Sequence, residues 1–257
     1  MRFARYLLGD KPSWARLDGE YALELSDAPW SPQSEDVRRF LFEPGTLLLP
    51  PCEPSKIVCV GKNYGEHVKE LHPGEDAPAE PLIFLKPPSA LLSPGGSILI
   101  PPESQRVDFE GELALVIGAT ICRPSLHEAK AAIFGYTPAN DVTARDLQKK
   151  DGQWTRGKGF DTFCPVGPWL STSDPDNSLL ITRVNGEVRQ QSSLSLMLFS
   201  PAEIVRFVAA VMTLYPGDVI LTGTPQGVGS LQPGDIVEVE IQGIGTLRNV
   251  VEARTGS

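Results

Sequence analysis

The sequence predicts a β-rich α+β fold with a rolled or barrel-like sheet and a small β-rich N-terminal piece. Three observations carry this. Short apolar runs are separated by turn residues throughout, with 24 Gly and 24 Pro. Few segments show helix-start signals. A proline cluster, Pro50-Pro51-Cys52-Glu53-Pro54, reads as a linker. It divides the chain into residues 1–53, small and β-rich, and residues 54–257, which carry the chemistry. With 257 residues, 41% of them hydrophobic, the chain can bury a real core and is not disordered.

Residues 3–8, 14–17 and 21–25 read as three strands with Gly and Asp between them. The polar stretch after them contains Ser34-Glu35-Asp36, which reads as a helix start. Beyond the linker, residues 56–60 form a strand, 64–71 a short helix and 72–80 a mobile, acidic loop. Strands follow at 82–85, 98–100 and 109–117. Ser125 with Glu128 forms a capping box that opens a helix to residue 133, and 134–142 returns as a strand. Asn185-Gly186 between 181–184 and 187–190 signals a hairpin with a type I′ turn. Ser200-Pro201-Ala202-Glu203 supplies an N-cap, a Pro at N1 and a Glu at N3 for a helix to about residue 213. Strands at 219–221, 236–241 and 247–252 close the chain.

The net charge is -9 and no run of Lys and Arg occurs, which excludes a nucleic-acid surface and polybasic membrane attachment. The longest apolar stretches fall far short of a bilayer span, and no secretory leader is visible at the N-terminus. The four cysteines, Cys52, Cys59, Cys122 and Cys164, form no C-x-x-C and read as thiols in a reducing cytoplasm.

The strongest chemical feature is Asp108-Phe109-Glu110-Gly111-Glu112-Leu113. Residues two apart on a strand share a face, so Glu110 and Glu112 point the same way, with Gly111 leaving the opposite face open. Paired carboxylates in a core-like run are costly to desolvate, and a divalent cation offsets that cost. A solvated strand face bearing two ordinary glutamates reads equally well on spacing alone. Asp141, at a strand end, and Asp146 just after it add carboxylates. Three such oxygens plus waters suit Mg²⁺ or Mn²⁺; a cap on the next helix is the alternative for Asp141.

His67 and Glu70 lie three apart on the short helix, hence on one face. A carboxylate beside an imidazole raises its basicity and fixes its orientation, as a base requires. A lone H-x-x-E is more often a surface pair. Lys158, flanked by Gly157 and Gly159, is placed to neutralise an enolate or carboxylate. The Gly-rich loop Gly223-Thr224-Pro225-Gln226-Gly227-Val228-Gly229 lacks a P-loop ending, so it does not read as a nucleotide site, but its N–H groups can hold a carboxylate.

Together these motifs resemble the fumarylacetoacetate hydrolase family. The matching segments are Val60-Gly61-Lys62-Asn63-Tyr64 with His67 and Glu70, Phe84-Leu85-Lys86-Pro87, the Asp108 to Leu113 motif and Gly135-Tyr136. They continue with Asn140-Asp141-Val142-Thr143-Ala144-Arg145-Asp146, the Lys158 segment, Asn185-Gly186-Glu187 and the loop that follows Leu221. The resemblance implies a mixed β-roll with Mg²⁺ or Mn²⁺ on Glu110, Glu112 and Asp141. It implies Lys158 as the charged partner of substrate, His67 and Glu70 as a lid dyad that activates water in hydrolytic members, and Arg145, Gln148 and Thr224 as substrate contacts. It further implies a homodimer acting on a small 2-oxo or 2-hydroxy-dienoic acid through a shared enolate. Isomerisation or decarboxylation of the 2-hydroxyhepta-2,4-diene-1,7-dioate type is the first expectation. Acylpyruvate hydrolysis and oxaloacetate decarboxylation are the alternatives, and a non-catalytic small-molecule or metal binder is a reading of another class.

Overall fold

The structure, a computed structural model, describes residues 1–43, 45–71 and 76–254. It is mostly β with five short helices: α1 (Gly65–Leu71), α2 (Leu126–Ala131), α3 (Arg145–Asp151), α4 (Thr155–Lys158) and α5 (Pro201–Val211).

The largest sheet has eleven strands. It begins with an N-terminal meander in the order Asp36–Leu41, Tyr21–Leu25, Lys11–Asp18 and Arg2–Leu8. Arg2 and Phe3 then pair with Ser171 and Leu170, so the sheet runs on without a break into the rest of the chain. Its continuation is Leu170–Ser171, Ile133–Asn140, Gly111–Ile117, Val219–Leu221, Ile57–Gly61 and Leu82–Lys86. A five-stranded sheet contains the hairpin Leu179–Val184/Glu187–Ser193 with Ile236–Ile241, Gly245–Ala253 and Ser97–Ile100. Pairing is mixed: Val219–Leu221 runs parallel to Ile57–Gly61, and Gly245–Ala253 parallel to Ser97–Ile100.

Strand Gly111–Ile117 is buried along its whole length. Leu113, Leu115 and Ile117 pack with Ile204, Val205 and Val208 of α5, while Ala114 and Val116 face a second core with Phe3, Ile57 and Leu170. Burial on both faces explains why the run is continuously apolar rather than alternating. Both capping boxes form as expected, at Ser125/Glu128 before α2 and Ser200/Glu203 before α5. Asn185 and Gly186 have φ of 54° and 80°, the positive pair a type I′ turn needs.

Two expectations fail. Ser34-Glu35-Asp36 opens no helix: Asp36–Leu41 is an edge strand paired with Tyr21–Leu25, and Arg38 Nε donates to Glu24 Oε2 across the pair at 2.5 Å. Local helix-start chemistry yields here to a sheet edge that needed a partner. The strand expected over 109–117 breaks at Glu110. The Glu110 N–H bonds the Asn140 side chain at 2.9 Å, and the Gly111 N–H bonds Gln190 Oε1 at 3.0 Å. Val107–Phe109 thereby leaves the large sheet and pairs with Thr143–Ala144 and Gly229–Ser230.

The face opposite Gly111 is filled, not open. A Cβ there would lie 2.0 Å from Thr182 Oγ1 and 3.1 Å from Gln190 Oε1. Gly111→Ala is therefore expected to lower the unfolding free energy by about 1–3 kcal/mol, the usual effect of overpacking. Urea denaturation reads this, and an unchanged midpoint would contradict the tight approach. Among the described residues no helix is long and apolar enough to cross a membrane.

Candidate active site

The break at Glu110 builds the site. It turns the Glu110 carboxylate toward Glu112 from the next strand and Asp141 from the end of Ile133–Asn140. One oxygen from each of the three lies within 4.8 Å of the others, and all three residues are buried. Asp141 caps no helix: the N-cap of α3 is Ala144. Asp146 stands apart from the triad, accepting from Ser104 Oγ at 2.6 Å and the Gln105 N–H at 3.0 Å.

Lysines clamp two of the carboxylates. Lys158, at the end of α4 and 2% exposed, donates to Glu110 Oε2 at 2.8 Å and Asp141 Oδ2 at 2.6 Å. Burial lowers the Lys158 pKa, but Asp141 and Glu110 outweigh it and keep the ammonium charged. Burial likewise pushes the Glu110 carboxyl up, while Lys158, Arg145 and His67 more than offset it and hold it well below the usual range. Glu112 differs. It accepts the Gly223 N–H at 2.6 Å, and no cation pairs with it among the described residues. Burial, then repulsion by Asp141 and Glu110, drives its pKa well above the ordinary carboxylate value.

This donor set fits a hard divalent cation. Three clustered carboxylate oxygens match the preference of Mg²⁺ and Mn²⁺ for oxygen ligands, and a bound metal would supply the positive charge that favours ionised Glu112, against burial and its two carboxylate neighbours.

His67 and Glu70 come together on α1, with Nδ1 and Oε2 3.4 Å apart. The Gly227 N–H reaches the two Glu70 oxygens at 3.2 and 3.1 Å. Two N–H groups of the Gly-rich loop thus bond this chain's own carboxylates, those of Glu112 and Glu70. His67 is 7% exposed, and its pKa falls through burial, against the pull of Glu110 and Glu70. Of the loop expected over 72–80, residues 72–75 lie outside the described residues.

These groups surround a cavity of about 260 Å³. The triad, Lys158 and Arg145 line it, as do His67, Gln148 and Thr224. Arg145 donates to Gln148 Oε1 at 2.7 Å and also bonds Glu110. The Thr224 hydroxyl donates to the Gly111 carbonyl and accepts from Gln190, each at 2.8 Å. Phe84 and Trp154 form an apolar wall, in edge contact at 5.1 Å, and the Trp154 ring rests on Gly61, where a Cβ would lie 2.9 Å away. The nine residues given site roles from the sequence thus lie together, eight lining the cavity and Glu70 paired with His67, whereas the tenth candidate, Asp146, lies apart.

Three supporting residues were given no role from the sequence, although Lys86 and Asp108 lie in the motifs quoted above. Lys86 is buried and donates to Asp141 Oδ1 at 2.5 Å and the Val142 carbonyl at 3.1 Å. Its signal was a lysine closing an apolar strand before Pro87. Asp108 holds two arginines, and Gln190 ties the Gly-rich loop to Gly111. A charged residue inside an apolar run marked Asp108, but nothing local marked Gln190.

A β-rich chain with a buried carboxylate triad, a clamping lysine and a His–Glu pair over one small cavity has the parts of an enzyme site. The chain belongs to the fumarylacetoacetate hydrolase family. The model of its C-terminal domain, "Fumarylacetoacetate (FAA) hydrolase C-terminal", matches residues 56–252, and a second model, "Rv2993c-like, N-terminal", matches residues 1–50. A structure named 2-hydroxyhepta-2,4-diene-1,7-dioate isomerase, from Mycobacterium marinum, superposes with a TM-score of 0.90 at 45% identity, covering 100% of both chains. One named 5-carboxymethyl-2-hydroxymuconate delta-isomerase, from Mycobacterium smegmatis, gives 0.90 at 44%, covering 99% of this chain and 100% of that one. The Bos taurus protein named oxaloacetate tautomerase FAHD2A, mitochondrial, is 46% identical over 219 residues, 80% of this chain and 69% of that protein.

Proposed function

We propose that this chain is a divalent-metal-dependent isomerase that moves a proton within the keto–enol or dienol system of a small 2-oxo or 2-hydroxy-dienoic acid. The observation that carries this is a buried His67, paired with Glu70, that faces the same cavity as the carboxylate triad and Lys158. The names of the two full-length structural neighbours and of the tautomerase relative support the same reaction class. A Mg²⁺ or Mn²⁺ held by Glu110, Glu112 and Asp141 would supply Lewis-acid polarisation of a 2-oxo group. Arg145 and Gln148 orient the substrate carboxylate. Lys158 places a fixed positive charge where negative charge develops. His67 takes and returns the migrating proton at an imidazole nitrogen, and Glu70 sets the direction of its ring.

Hydrolysis of an acylpyruvate is the second reading, since the same His67–Glu70 pair can activate a water. Proton NMR of the Mg²⁺-loaded protein with a 2-hydroxy-dienedioate, oxaloacetate and acetylpyruvate separates them. Double-bond migration or accelerated enol–keto exchange supports the isomerase. Acetate and pyruvate from acetylpyruvate would replace it with the hydrolase.

His67 carries a pH prediction. Burial lowers its pKa, so the basic form persists below the ordinary imidazole value of about 6.5 and activity falls only at lower pH. The acid limb of kcat/KM is expected below that value. His67→Gln is expected to abolish the limb and reduce kcat by about 10²–10⁴-fold. An unshifted limb that survives in the variant would remove His67 from the chemistry.

A further inference from the structure

Asp108 is fully buried and lies outside the cavity, yet it is bonded to the group that shapes it. Its strand, Val107–Phe109, is the middle of the three-stranded sheet. From there its carboxylate is held by two arginines. Arg106 donates through Nε to Oδ1 at 2.8 Å and through Nη2 to Oδ2 at 3.2 Å. Arg145 donates through Nε to Oδ2 at 2.9 Å. The Arg106 side chain is half exposed and faces a separate surface groove, whereas the Arg145 side chain is 6% exposed and faces the cavity. One N–H on each of the other two Arg145 nitrogens reaches Gln148 and Glu110.

We propose that Asp108 is a positioning residue that keeps Glu110 available to a divalent cation by sharing the charge of Arg145. Four buried carboxylates meet here: Asp108, Glu110, Glu112 and Asp141. Four cations face them: Arg106, Arg145, Lys86 and Lys158. Removing the Asp108 charge takes one anion from this group and leaves every cation in place. Arg145 is then left with Glu110 as its one anionic partner, and it competes with the metal for that carboxylate. Outer-shell partners of this kind alter metal affinity by roughly 10–100-fold. The proposal rests on the metal reading of the triad and extends it to a residue that touches neither metal nor substrate.

The test is a double-mutant cycle on Mn²⁺ affinity, measured by calorimetry on Asp108→Asn, Arg145→Gln and the double variant. Asp108→Asn is expected to weaken Mn²⁺ binding by roughly 10–100-fold. In the Arg145→Gln background, the same change is expected to weaken it by less than about threefold, because the competing cation is gone. Full additivity, or unchanged affinity in a folded Asp108→Asn protein, overturns the proposal. Arg106→Gln provides a variant at a half-exposed site should Asp108→Asn not fold. It removes one cation and leaves Asp108 to Arg145, so Mn²⁺ affinity is expected to hold or rise, and a tenfold fall overturns the proposal. Failure of the wild-type protein to bind Mn²⁺ would overturn the metal reading, and this inference with it.

Discussion

Replacing Lys158 by Met is expected to lower the unfolding free energy of the metal-free protein by about 3 kcal/mol, toward the lower end of the range for removing one partner of a buried ion pair. Lys158 bridges Glu110 and Asp141 at 2.8 and 2.6 Å, and its loss leaves each carboxylate with one other cation, Arg145 or Lys86. Those remaining partners place the loss at the lower end. Part of the stability is expected to return with Mn²⁺, because a bound cation restores the missing charge among the same oxygens. Turnover is not expected to return with it, and a loss of at least roughly 10²-fold fits removal of an electrostatic stabiliser. Urea unfolding with and without chelator, beside turnover at saturating Mn²⁺, separates the two roles. Equal midpoints for variant and wild type in chelator would contradict a structural part for this lysine.

Glu112→Gln is expected to act in opposite directions on stability and function. Glu112 has its pKa raised, first by burial and then by Asp141 and Glu110. A folded-state pKa above the unfolded value means the native protein holds its proton more tightly. Stability from this group is therefore fully present below an unfolded pKa of about 4.3 and is lost as pH rises toward the folded value. Glutamine keeps the shape without the charge. The variant should match the wild type near pH 4 and exceed it by about 1–3 kcal/mol at pH 8, both in chelator. Metal binding should be lost, since one of three ligand oxygens becomes a neutral amide. A wild-type advantage at pH 8 without metal, or full Mn²⁺ affinity in the variant, would contradict this account of Glu112.

Much of the site was legible because its parts recur at fixed short spacing. Glu110 and Glu112 stand two apart, His67 and Glu70 three apart, and Lys158 sits between glycines. The residues that hold those groups in place were less legible. Lys86 reaches Asp141 across 55 positions and Gln190 reaches Gly111 across 79, so their partners are set by sheet topology. Glu110 shows the limit most clearly. Period-two alternation predicts a continuous strand, but Asn140 and Gln190 draw the backbone N–H groups of Glu110 and Gly111 out of the ladder and make a bend. The edge strand Asp36–Leu41 was misread for another reason. Most of its residues are exposed, which erases the alternation, and Ser34-Glu35-Asp36 imitates a helix start.

The junction between Arg2–Leu8 and Leu170–Ser171 bears on solubility as well as architecture. The N-terminal meander joins the rest of the large sheet through the pairs Arg2/Ser171 and Phe3/Leu170 and the Thr172 N–H to Met1 carbonyl bond, and Phe3 and Trp30 also cover Phe134, with ring centroids 5.4 and 5.6 Å away. Without the meander, the backbone of Leu170 and Ser171 would become an open edge beside bare aromatic and aliphatic side chains. Such an edge recruits strands from neighbouring molecules. Among the described residues, the first fifty add no group to the cavity, and their contribution is to end the sheet in the short, charged strand Asp36–Leu41, a kind of edge that resists aggregation.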